Sequence, residues 1–466
     1  MLQDHFLHRF LNAESVAIVG ATRNPFSPNY HLVNNLVTLG YKGKIYPVNP
    51  RVEDVVGIRA YGAVSEINEN IDLVVVSVPA LNVLNVVRDL VKAKVGGVVV
   101  VTGGFSETGE EGKIIQDEMA VLLKAHGIRA IGPNALSPIN SHNGLAISFF
   151  PMNKLPTGKV SFIFQSGMYE PRFSWILSDF HLGISRLIDL GNKMDVNEVD
   201  ALEYLSRDPL TGVICIHLEA IKGDGRRFFS LLKETTRYKP VVILKGGRTE
   251  AGARAAMSHT GSLVRGSDAV FDAAVKQAGA IRADTLDDFL YLAKAFSSLP
   301  PLPGNRIAIA TFPGGEAVLA TDLCTQNGFE LAKLGPASYE KLRPSFPPWD
   351  IKLNPYDFGL IYTFHGFTNN HELFIDAMLQ DENVDCVALQ LPPLMFPLDP
   401  PAFCPAFLRA VEQGKPLAAW PPHMLRLEGD LVAYLENHSV PVFPSAAITI
   451  RSLGALNRYR QYIQHS

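Results

Sequence analysis

The sequence predicts an α/β protein built on buried parallel sheets. Short apolar runs rich in valine and isoleucine recur along the chain, and segments with helical periodicity separate them. Helices cover both faces of a parallel sheet, so its strands read as near-continuous apolar runs. The chain has 466 residues, a length for which about three domains are expected. We therefore expect three α/β domains, spanning residues 1-150, 151-300 and 301-466.

Composition and charge exclude several classes of partner. Hydrophobic residues make up 47% of the chain and charged residues 19%, and the formal net charge is -4. Such a slight charge gives no electrostatic signature for a nucleic acid or an anionic membrane, so neither is expected as a partner. The four cysteines are widely spaced and form no metal or redox motif, which favours a reducing cytoplasm. No secretory signal or membrane-spanning run is recognisable.

The first segment opens with an apolar strand that ends in glycine, Ser15–Ala21, followed by a loop and a helix from about Tyr30. This order is typical of a nucleotide-binding α/β unit, although the loop lacks the three-glycine dinucleotide motif. Further strands and helices are predicted in a regular alternation. The strands are Lys44–Val48, Asp72–Val78, Gly97–Val101 and Ala130–Ile131, and the helices are Val83–Lys94 and Glu110–His126.

Glycine, proline and polar residues follow each of these strands. Ligands of open parallel sheets bind at the carboxyl ends of the strands, and glycine there lets a ligand approach closely. Any one of these loops alone would equally be a plain strand stop. Together they predict a binding site made of Gly20, Ala21, Thr22, Asn49, Pro50, Arg51, Val78, Pro79, Thr102, Gly103, Pro133 and Asn134.

The second segment contains a candidate anion site. Strand Val160–Phe164 leads to Gln165, Ser166 and Gly167 and to a helix predicted to reach Phe180. Free backbone N–H groups at a helix N-terminus bind anions, although Ser166 alone would equally be an ordinary helix cap.

Two strand ends of the same segment are followed by a candidate carboxylate and a candidate histidine. Strand Gly212–Leu218 ends at Glu219, and strand Pro240–Leu244 leads to His259 on a predicted loop. Neutral imidazole can attack phosphorus, and a carboxylate beside it orients the ring and stabilises its cationic product. Taken singly, each residue would more often be an ordinary surface group.

The third segment repeats the pattern of strand, glycine turn and helix. Strand Arg306–Ala310 precedes Gly314-Gly315 and a helix from Glu316, whose charge would oppose a nucleotide there. Its other predicted strands are Cys386–Leu391, Leu417–Trp420 and Val440–Phe443. Clustered prolines between residues 392 and 405 predict an extended surface loop. A scaffold and subunit-contact role fits this segment as well as a substrate role.

Several ordered motifs resemble the ADP-forming acyl-CoA synthetases, relatives of the succinyl-CoA synthetase α subunit. The phosphohistidine segment of that family is closely matched by Ser258–Leu263, Gly266–Ala269 and Gln277–Gly279. Its other landmarks are matched by Gly20-Ala21, Gly43–Pro50, Gly132–Asn134, Leu190–Lys193 and Leu218-Glu219. The resemblance implies a Rossmann-like CoA-binding domain followed by two flavodoxin-like domains, similar to succinyl-CoA synthetase.

The resemblance also implies roles for single residues. His259 would be the phosphorylated residue and Glu219 its carboxylate partner. Gln165, Ser166, Gly167 and Gly261 would bind phosphate, and the strand-end residues of the first segment would bind CoA. The chain would act on a small carboxylic acid or its acyl-CoA. A separate ATP-grasp β subunit, in a heterotetramer, would hold ADP or ATP with Mg²⁺, so no metal site is expected on this chain.

Departures from the family pattern keep alternatives open. Ala135 stands where the family usually has cysteine, and Met168-Tyr169-Glu170-Pro171 replaces smaller residues after Ser-Gly. With Glu316, these departures would fit a CoA-binding regulatory protein or a catalytically diverged family member. An NAD-dependent dehydrogenase that uses the first domain is a further alternative, as is another phosphate-dependent acyl or carbamoyl transfer.

Overall fold

The computed structural model of the protein describes residues 2–93, 95–260, 267–312, 314–351, 354–366, 368–393, 399–422 and 430–465. It divides into two compact units, Met1–Phe289 and Leu290–Ser466. The first unit contains two large sheets and one two-stranded sheet, and the second unit contains one sheet. The α/β class with parallel sheets is therefore confirmed.

The first sheet is wholly parallel, with strand order β2-β1-β5-β6-β7. Its inner strands are buried on both faces, which explains their unbroken runs of valine and isoleucine. The strands of this segment are β1 Ser15–Val19, β2 Lys44–Val48, β3 Asp54–Val55, β4 Ile58–Arg59, β5 Leu73–Val76, β6 Gly97–Val100 and β7 Arg129–Ile131. Its helices are α1 Phe6–Leu11, α2 Pro28–Thr38, α3 Ala80–Ala93 and α4 Glu110–Ala125.

The second sheet has the order β14-β13-β12-β10-β11-β8-β9. Its first five strands are parallel, and a hairpin from residues 139–146 adds an antiparallel edge that the sequence did not predict. The strands are β8 Ile139–Asn140, β9 Leu145–Ala146, β10 Thr157–Phe164, β11 Ile184–Asp189, β12 Val213–Leu218, β13 Val241–Lys245 and β14 Ile281–Ala283. The helices are α5 Phe173–Asp179, α6 Glu198–Arg207, α7 Gly225–Thr235, α8 Glu250–Thr260, α9 Asp268–Gln277 and α10 Leu286–Ser298.

The sheet of the second unit is parallel, with order β16-β15-β18-β19 and β17 beside β15. Its strands are β15 Arg306–Thr311, β16 Glu330–Leu331, β17 Tyr356–Asp357, β18 Cys386–Gln390 and β19 Leu417–Trp420. The helices are α11 Gly314–Gln326, α12 Pro336–Leu342, α13 Phe358–His365, α14 Thr368–Gln380, α15 Pro400–Phe403, α16 Pro405–Gln413, α17 Asp430–Asn437 and α18 Ala446–His465. The predicted strand Val440–Phe443 forms a single bridge, between Ala419 and Val442.

Proline shapes two local features. The helix predicted after Gly167 is present, as a 3-10 helix at Gly167–Arg172, with Pro171 inside it, that continues as an α-helix at Phe173–Asp179. Part of the proline-rich stretch expected to be extended is helical, because Pro400 and Pro405 each begin a helix. Proline is tolerated in a first helical turn, where its missing N–H would have no partner within the helix.

The predicted loop around His259 is also corrected. Helix α8 runs from Glu250 to Thr260, so His259 lies in its last turn. The segment preceding it, Ala251–Ala256, is rich in alanine, the residue that favours helix most strongly. Among the described helices, none is both long and apolar enough to cross a membrane.

Candidate functional site

A cavity of about 670 Å³ opens at the carboxyl ends of the first sheet. This volume lies within the range of about 300–1,000 Å³ that ligand pockets occupy. The structure brings six of the predicted residues together around it. They are Gly20, Asn49, Pro50, Arg51, Val78 and Pro79.

The base of this cavity depends on glycine at position 20. Gly20 has a φ of +91°, and a Cβ built on it would lie 2.1 Å from the carbonyl oxygen of Ser77. Asn29 ties the two strand ends together, since its Nδ2 donates to the carbonyl oxygens of Gly20 at 2.9 Å and Ser77 at 2.8 Å. At Gly20 the cavity is therefore lined by backbone without a side chain, which a ligand can approach closely.

The other six predicted residues do not line this cavity but shape the loops beside it. The carbonyl of Ala21 accepts a hydrogen bond from Asn49 Nδ2 at 2.7 Å, and Thr102 Oγ1 donates to the carbonyl of Val78 at 2.6 Å. Asn134 N donates to the carbonyl of Thr102 at 3.0 Å. Thr22, Gly103 and Pro133 complete this set.

The sequence interpretation missed the polar residues that helices contribute to the cavity. Asn29 comes from α2, and Asn82, Asn85 and Asp89 come from α3. The spacing of the last three places them on one face of α3, opposite its buried valines and leucine. A polar stripe at helical spacing directly after a strand end was the signal that could have identified them.

The resemblance implies CoA in this cavity, and on that basis we expect Gly20→Ala to weaken CoA binding by at least about tenfold, because its methyl group must displace the Ser77 backbone. Gly40→Ala is the matched control, since Gly40 also has a positive φ, +68°, but nothing lies within 4 Å of its added Cβ. Both variants carry the backbone strain of alanine at positive φ, about 1–2 kcal/mol. Titration calorimetry with CoA measures the difference. Equal affinities of the two variants would place CoA elsewhere.

A polar cluster joins three strand ends of the second sheet. Gln165, directly after β10, accepts hydrogen bonds through Oε1 from the backbone N–H groups of Glu219 at 3.0 Å and Ala220 at 3.3 Å. Lys245, at the end of β13, donates through Nζ to the carbonyl oxygens of Glu219 at 2.6 Å and Gly246 at 2.5 Å. Burial lowers the pKa of Lys245, and the charge of Asp268 opposes that shift.

Glu219 is left with an unused acceptor in this cluster. Its Oε2 is buried and has no hydrogen-bond partner among the described residues. Buried carboxylate oxygens are costly to leave unpaired, and such an exception calls for an explanation. The oxygen is therefore available to a group that the described residues do not supply.

His259 and the two residues before it lie in helix α8, which follows β13 and Lys245. The side chains of residues 257–260 fall outside the described part of the structure, so the pairing of the His259 ring with Glu219 stays a prediction. The predicted phosphate-binding residue Gly261 lies outside the described residues altogether.

The loop after β11 docks onto the loop after β7. Gly191 has a φ of +53°, and a Cβ on it would lie 2.2 Å from the carbonyl oxygen of Pro133. Asn192 N donates to that same carbonyl at 2.9 Å, and Asn192 Nδ2 donates to Glu107 Oε2 at 2.5 Å. The motifs Gly132–Asn134 and Gly191–Lys193 therefore lie against each other and join the ligand-binding ends of both sheets.

Lys193 anchors this loop through a buried ion pair. Its Nζ lies 2.7 Å from Glu198 Oε2, with both side chains at most 1% exposed. The same ammonium donates to the carbonyl of Ala220 at 2.6 Å. Burial lowers the pKa of Lys193, and Glu198 opposes the shift. The ammonium thus fixes the backbone next to Glu219.

In the second unit, Glu316 is engaged by its own chain. Glu316 lies in the first turn of α11, and its carboxylate accepts from Trp420 Nε1 at 2.9 Å and from Gln390 Nε2 at 2.6 Å. These contacts tie the ends of β18 and β19 to the helix N-terminus. A carboxylate of the protein therefore sits where the strand–glycine–helix pattern predicted an anion.

Comparison with known proteins reveals two matching family models. The model described as CoA binding domain matches residues 14–139. The model described as succinyl-CoA ligase like flavodoxin domain matches residues 157–296. The first match contains all residues that line the first-sheet cavity, and the second contains the Gln165–Glu219–Lys245 cluster and His259.

Two proteins with similar sequences are both named ADP-forming acetate–CoA ligases. The chain is 38% identical over 418 residues to the acetate–CoA ligase [ADP-forming] II subunit alpha of Pyrococcus furiosus, covering 89% of each chain. It is 33% identical to acetate–CoA ligase [ADP-forming] II of Archaeoglobus fulgidus, where 96% of this chain covers 66% of the relative. The chain thus spans most of an α subunit but about two thirds of the longer enzyme.

A solved structure has the same fold over nearly the whole chain. It is the dinucleotide-forming acetyl-coenzyme A synthetase 1 of Ca. Korarchaeum cryptofilum, in complex with phosphate and ADP. The TM-score is 0.88, the sequence identity is 31%, and 98% of each chain is covered.

Proposed function

The chain belongs to the family of ADP-forming acyl-CoA synthetases, and we propose that it supplies the CoA site and the phosphohistidine of such an enzyme. The reaction is acyl-CoA + phosphate + ADP ⇌ carboxylic acid + CoA + ATP. Family membership makes the chain part of a ligase that uses CoA and a nucleotide. The roles of single residues, the acid and the partner chain are proposals.

The observation that carries the proposal is the cluster at the ends of β10, β12 and β13. It contains the buried, unpaired carboxylate oxygen of Glu219, and the ammonium groups of buried Lys193 and half-buried Lys245 fix the neighbouring backbone through the carbonyls of Ala220 and Glu219. Helix α8, with His259 in its last turn, follows the same strand end. A fixed carboxylate next to cations suits a site that holds phosphate beside an imidazole and stabilises the charged product.

The proposed reaction proceeds by three transfers. A phosphate oxygen attacks the carbonyl carbon of the acyl-CoA, the C–S bond breaks, and CoA leaves as its thiol while an acyl phosphate forms. A ring nitrogen of His259 then attacks phosphorus, the P–O bond to the acyl group breaks, and the carboxylate leaves. ADP finally takes the phosphoryl group from the histidine. A covalent carrier divides one difficult transfer into easier in-line steps.

The residues of this chain act by binding and orienting. The first-sheet cavity would hold CoA, with bare backbone at Gly20 and amide side chains around it. Ser166 and Gly167 would contact the phosphate. Gln165 already uses its oxygen to bridge β10 and β12, so its contribution is to position Glu219. Glu219 would hold the His259 ring in one tautomer and stabilise its positive charge.

We also propose that the nucleotide binds to a separate ATP-grasp β subunit, in a heterotetramer. The relative that this chain covers almost completely is named an α subunit, whereas the Archaeoglobus enzyme is longer than this chain. The carboxylate of Glu316 at the N-terminus of α11 makes the second unit an unfavourable place for nucleotide phosphates. Mg²⁺ bound with the nucleotide would neutralise phosphate charge on the partner.

We expect the purified chain to make ATP from acyl-CoA, phosphate and ADP only after a β subunit is added. The reason is that phosphohistidine formation and transfer to ADP would be divided between the chains. A coupled ATP assay on each chain and on the mixture measures this. ATP synthesis by this chain alone would refute the two-chain proposal, although not the phosphohistidine.

The same assay separates the alternatives. A catalytically diverged, CoA-binding regulatory protein would bind CoA but stay inactive in the mixture with every acyl-CoA. The dehydrogenase alternative requires NAD in the first-sheet cavity, and the match of residues 14–139 to a CoA-binding family favours CoA instead.

A further inference from the structure

A second, much smaller cavity lies at the end of β10, next to Ser166 and Gly167. Its volume is about 20 Å³, whereas one water molecule needs at least about 10–15 Å³ measured in the same way. The cavity therefore has room for roughly one methyl-sized group. Because it adjoins the residues proposed to bind phosphate, an acyl group attached to that phosphate would extend into it.

The walls of this cavity are mostly apolar. They include the buried or half-buried apolar side chains of Leu136, Ile139, Phe164, Tyr169, Phe173 and Leu187. Such walls favour a hydrocarbon group, since a charged or strongly polar group would lose its hydration there without compensation.

Tyr169 is a firmly packed part of the cavity wall. Its ring is 2% exposed and stacks on Phe164, with centroids 3.6 Å apart and an interplanar angle of 1°. His217 packs edge-on against the same ring, at 5.5 Å between centroids. A ring held between two neighbours cannot swing aside to admit a longer acyl chain without disturbing closely packed side chains.

Asp189 adds a negative charge to the cavity wall. It is the one charged residue lining the cavity in the described part of the chain. Its Oδ2 accepts from Leu136 N at 2.8 Å and its Oδ1 from Gly191 N at 3.2 Å, which fixes the carboxylate in place. A second carboxylate on the acyl chain would be repelled by this group. Burial raises the pKa of Asp189 to about 6, which leaves it mainly anionic at pH 7.5 and above.

We propose that Tyr169 and Asp189 set the acyl specificity of this site, Tyr169 by closing it to long or branched chains and Asp189 by rejecting dicarboxylic ones. The inference rests on the proposed function, because it requires an acyl group at the phosphate of Ser166 and Gly167. The favoured substrate class is a short, uncharged acyl chain.

The test compares acyl groups in the reconstituted enzyme at pH 7.5. We expect the wild type to use acetyl-CoA with a kcat/KM at least about tenfold above isobutyryl-CoA, since one methylene in a tight pocket is worth about 10–200-fold. Tyr169→Ala should reverse or cancel that ratio by enlarging the cavity. Tyr169→Leu, a milder truncation that preserves an apolar core residue, should shift the ratio in the same direction.

Controls separate specificity from stability. Tyr204→Leu truncates another buried tyrosine of the same unit that does not line the cavity, so it should leave the acetyl-to-isobutyryl ratio unchanged. Asp189→Asn added to Tyr169→Ala should raise kcat/KM for succinyl-CoA relative to butyryl-CoA by about tenfold or more over Tyr169→Ala alone, because Tyr169→Ala supplies the length that a succinyl chain needs. Phosphohistidine formation from ATP, measured without acyl-CoA, should stay at the wild-type level in Tyr204→Leu.

The outcomes distinguish this inference from the proposed function. An acyl-CoA ratio unchanged in both Tyr169 variants, or a wild type that uses isobutyryl-CoA as well as acetyl-CoA, would overturn the role of Tyr169. An unchanged succinyl-to-butyryl ratio when Asp189→Asn is added to Tyr169→Ala would overturn the role of Asp189. A wild type that forms neither phosphohistidine nor ATP with any acyl-CoA would instead refute the function on which the inference rests.

Discussion

His259→Asn should abolish phosphorylation of the chain and lower the rate of ATP formation by roughly 10⁴-fold or more, as expected for loss of a covalent nucleophile. Asparagine is close in size to the near half of the imidazole ring but cannot accept a phosphoryl group. The direct measurement is acid-labile label on the chain after incubation with γ-labelled ATP and the β subunit. The overall rate is measured in the coupled assay.

Two further variants make this result specific. His126→Asn removes an exposed histidine at the end of α4 and should behave as the wild type. Glu219→Gln keeps the shape of the partner side chain but removes its charge, and should reduce the rate by about 10–100-fold with label still detectable. Wild-type labelling of His259→Asn would move the phosphorylated residue elsewhere and end the proposed mechanism.

Lys193→Met should lower the free energy of unfolding of the first unit by about 3–5 kcal/mol, the cost of leaving one member of a buried ion pair alone. Glu198 would remain fully buried, with its other oxygen still bound to the N–H groups of Lys222 and Gly223, both at 2.8 Å. Methionine fills a similar volume, and because lysine already occupies this position at a φ of +54°, the exchange adds no new backbone strain. Denaturant unfolding followed by circular dichroism measures the change.

The matched control is an ion pair exposed to solvent. Arg88 and Glu118 lie 3.0 Å apart on α3 and α4, each more than half exposed, and Arg88→Met should cost less than about 1 kcal/mol. Adding Glu198→Gln to Lys193→Met should recover part of the loss, because the unpaired charge is removed. A cost for Lys193→Met no larger than that for Arg88→Met would contradict the importance of the buried pair.

Most strands could be predicted from sequence because both of their faces are buried. The runs around Val16, Val74 and Val98 are apolar at every position, and the structure places strands there within about two residues. The short edge strands of the hairpin 139–146 carry no such run and were missed. Helix α8 was missed because the Gly-Gly and Ser-His-Thr-Gly motifs at its two ends suggested a continuous loop.

The sequence predicted which residues belong to the site, but not which hydrogen bonds and ring contacts they make. The sequence placed Gln165 and Glu219 at strand ends that lie in one sheet, and these ends are adjacent in the structure. It could not indicate that Gln165 is used to hold the Glu219 backbone, since that depends on the registers of β10 and β12. Nor could it indicate that Tyr169 stacks on Phe164, a contact created by the 3-10 turn between them.

The close seating of Gly191 against Pro133 has a practical consequence for protein engineering. The loops 132–134 and 191–193 share backbone hydrogen bonds and leave no space for an added side chain, so their backbones must fit each other closely. A chimaera that exchanges only the CoA-binding segment with a relative would pair a loop 132–134 from one protein with a loop 191–193 from another. An exchange that carries both loops together, and with them both large sheets of the first unit, avoids that mismatch.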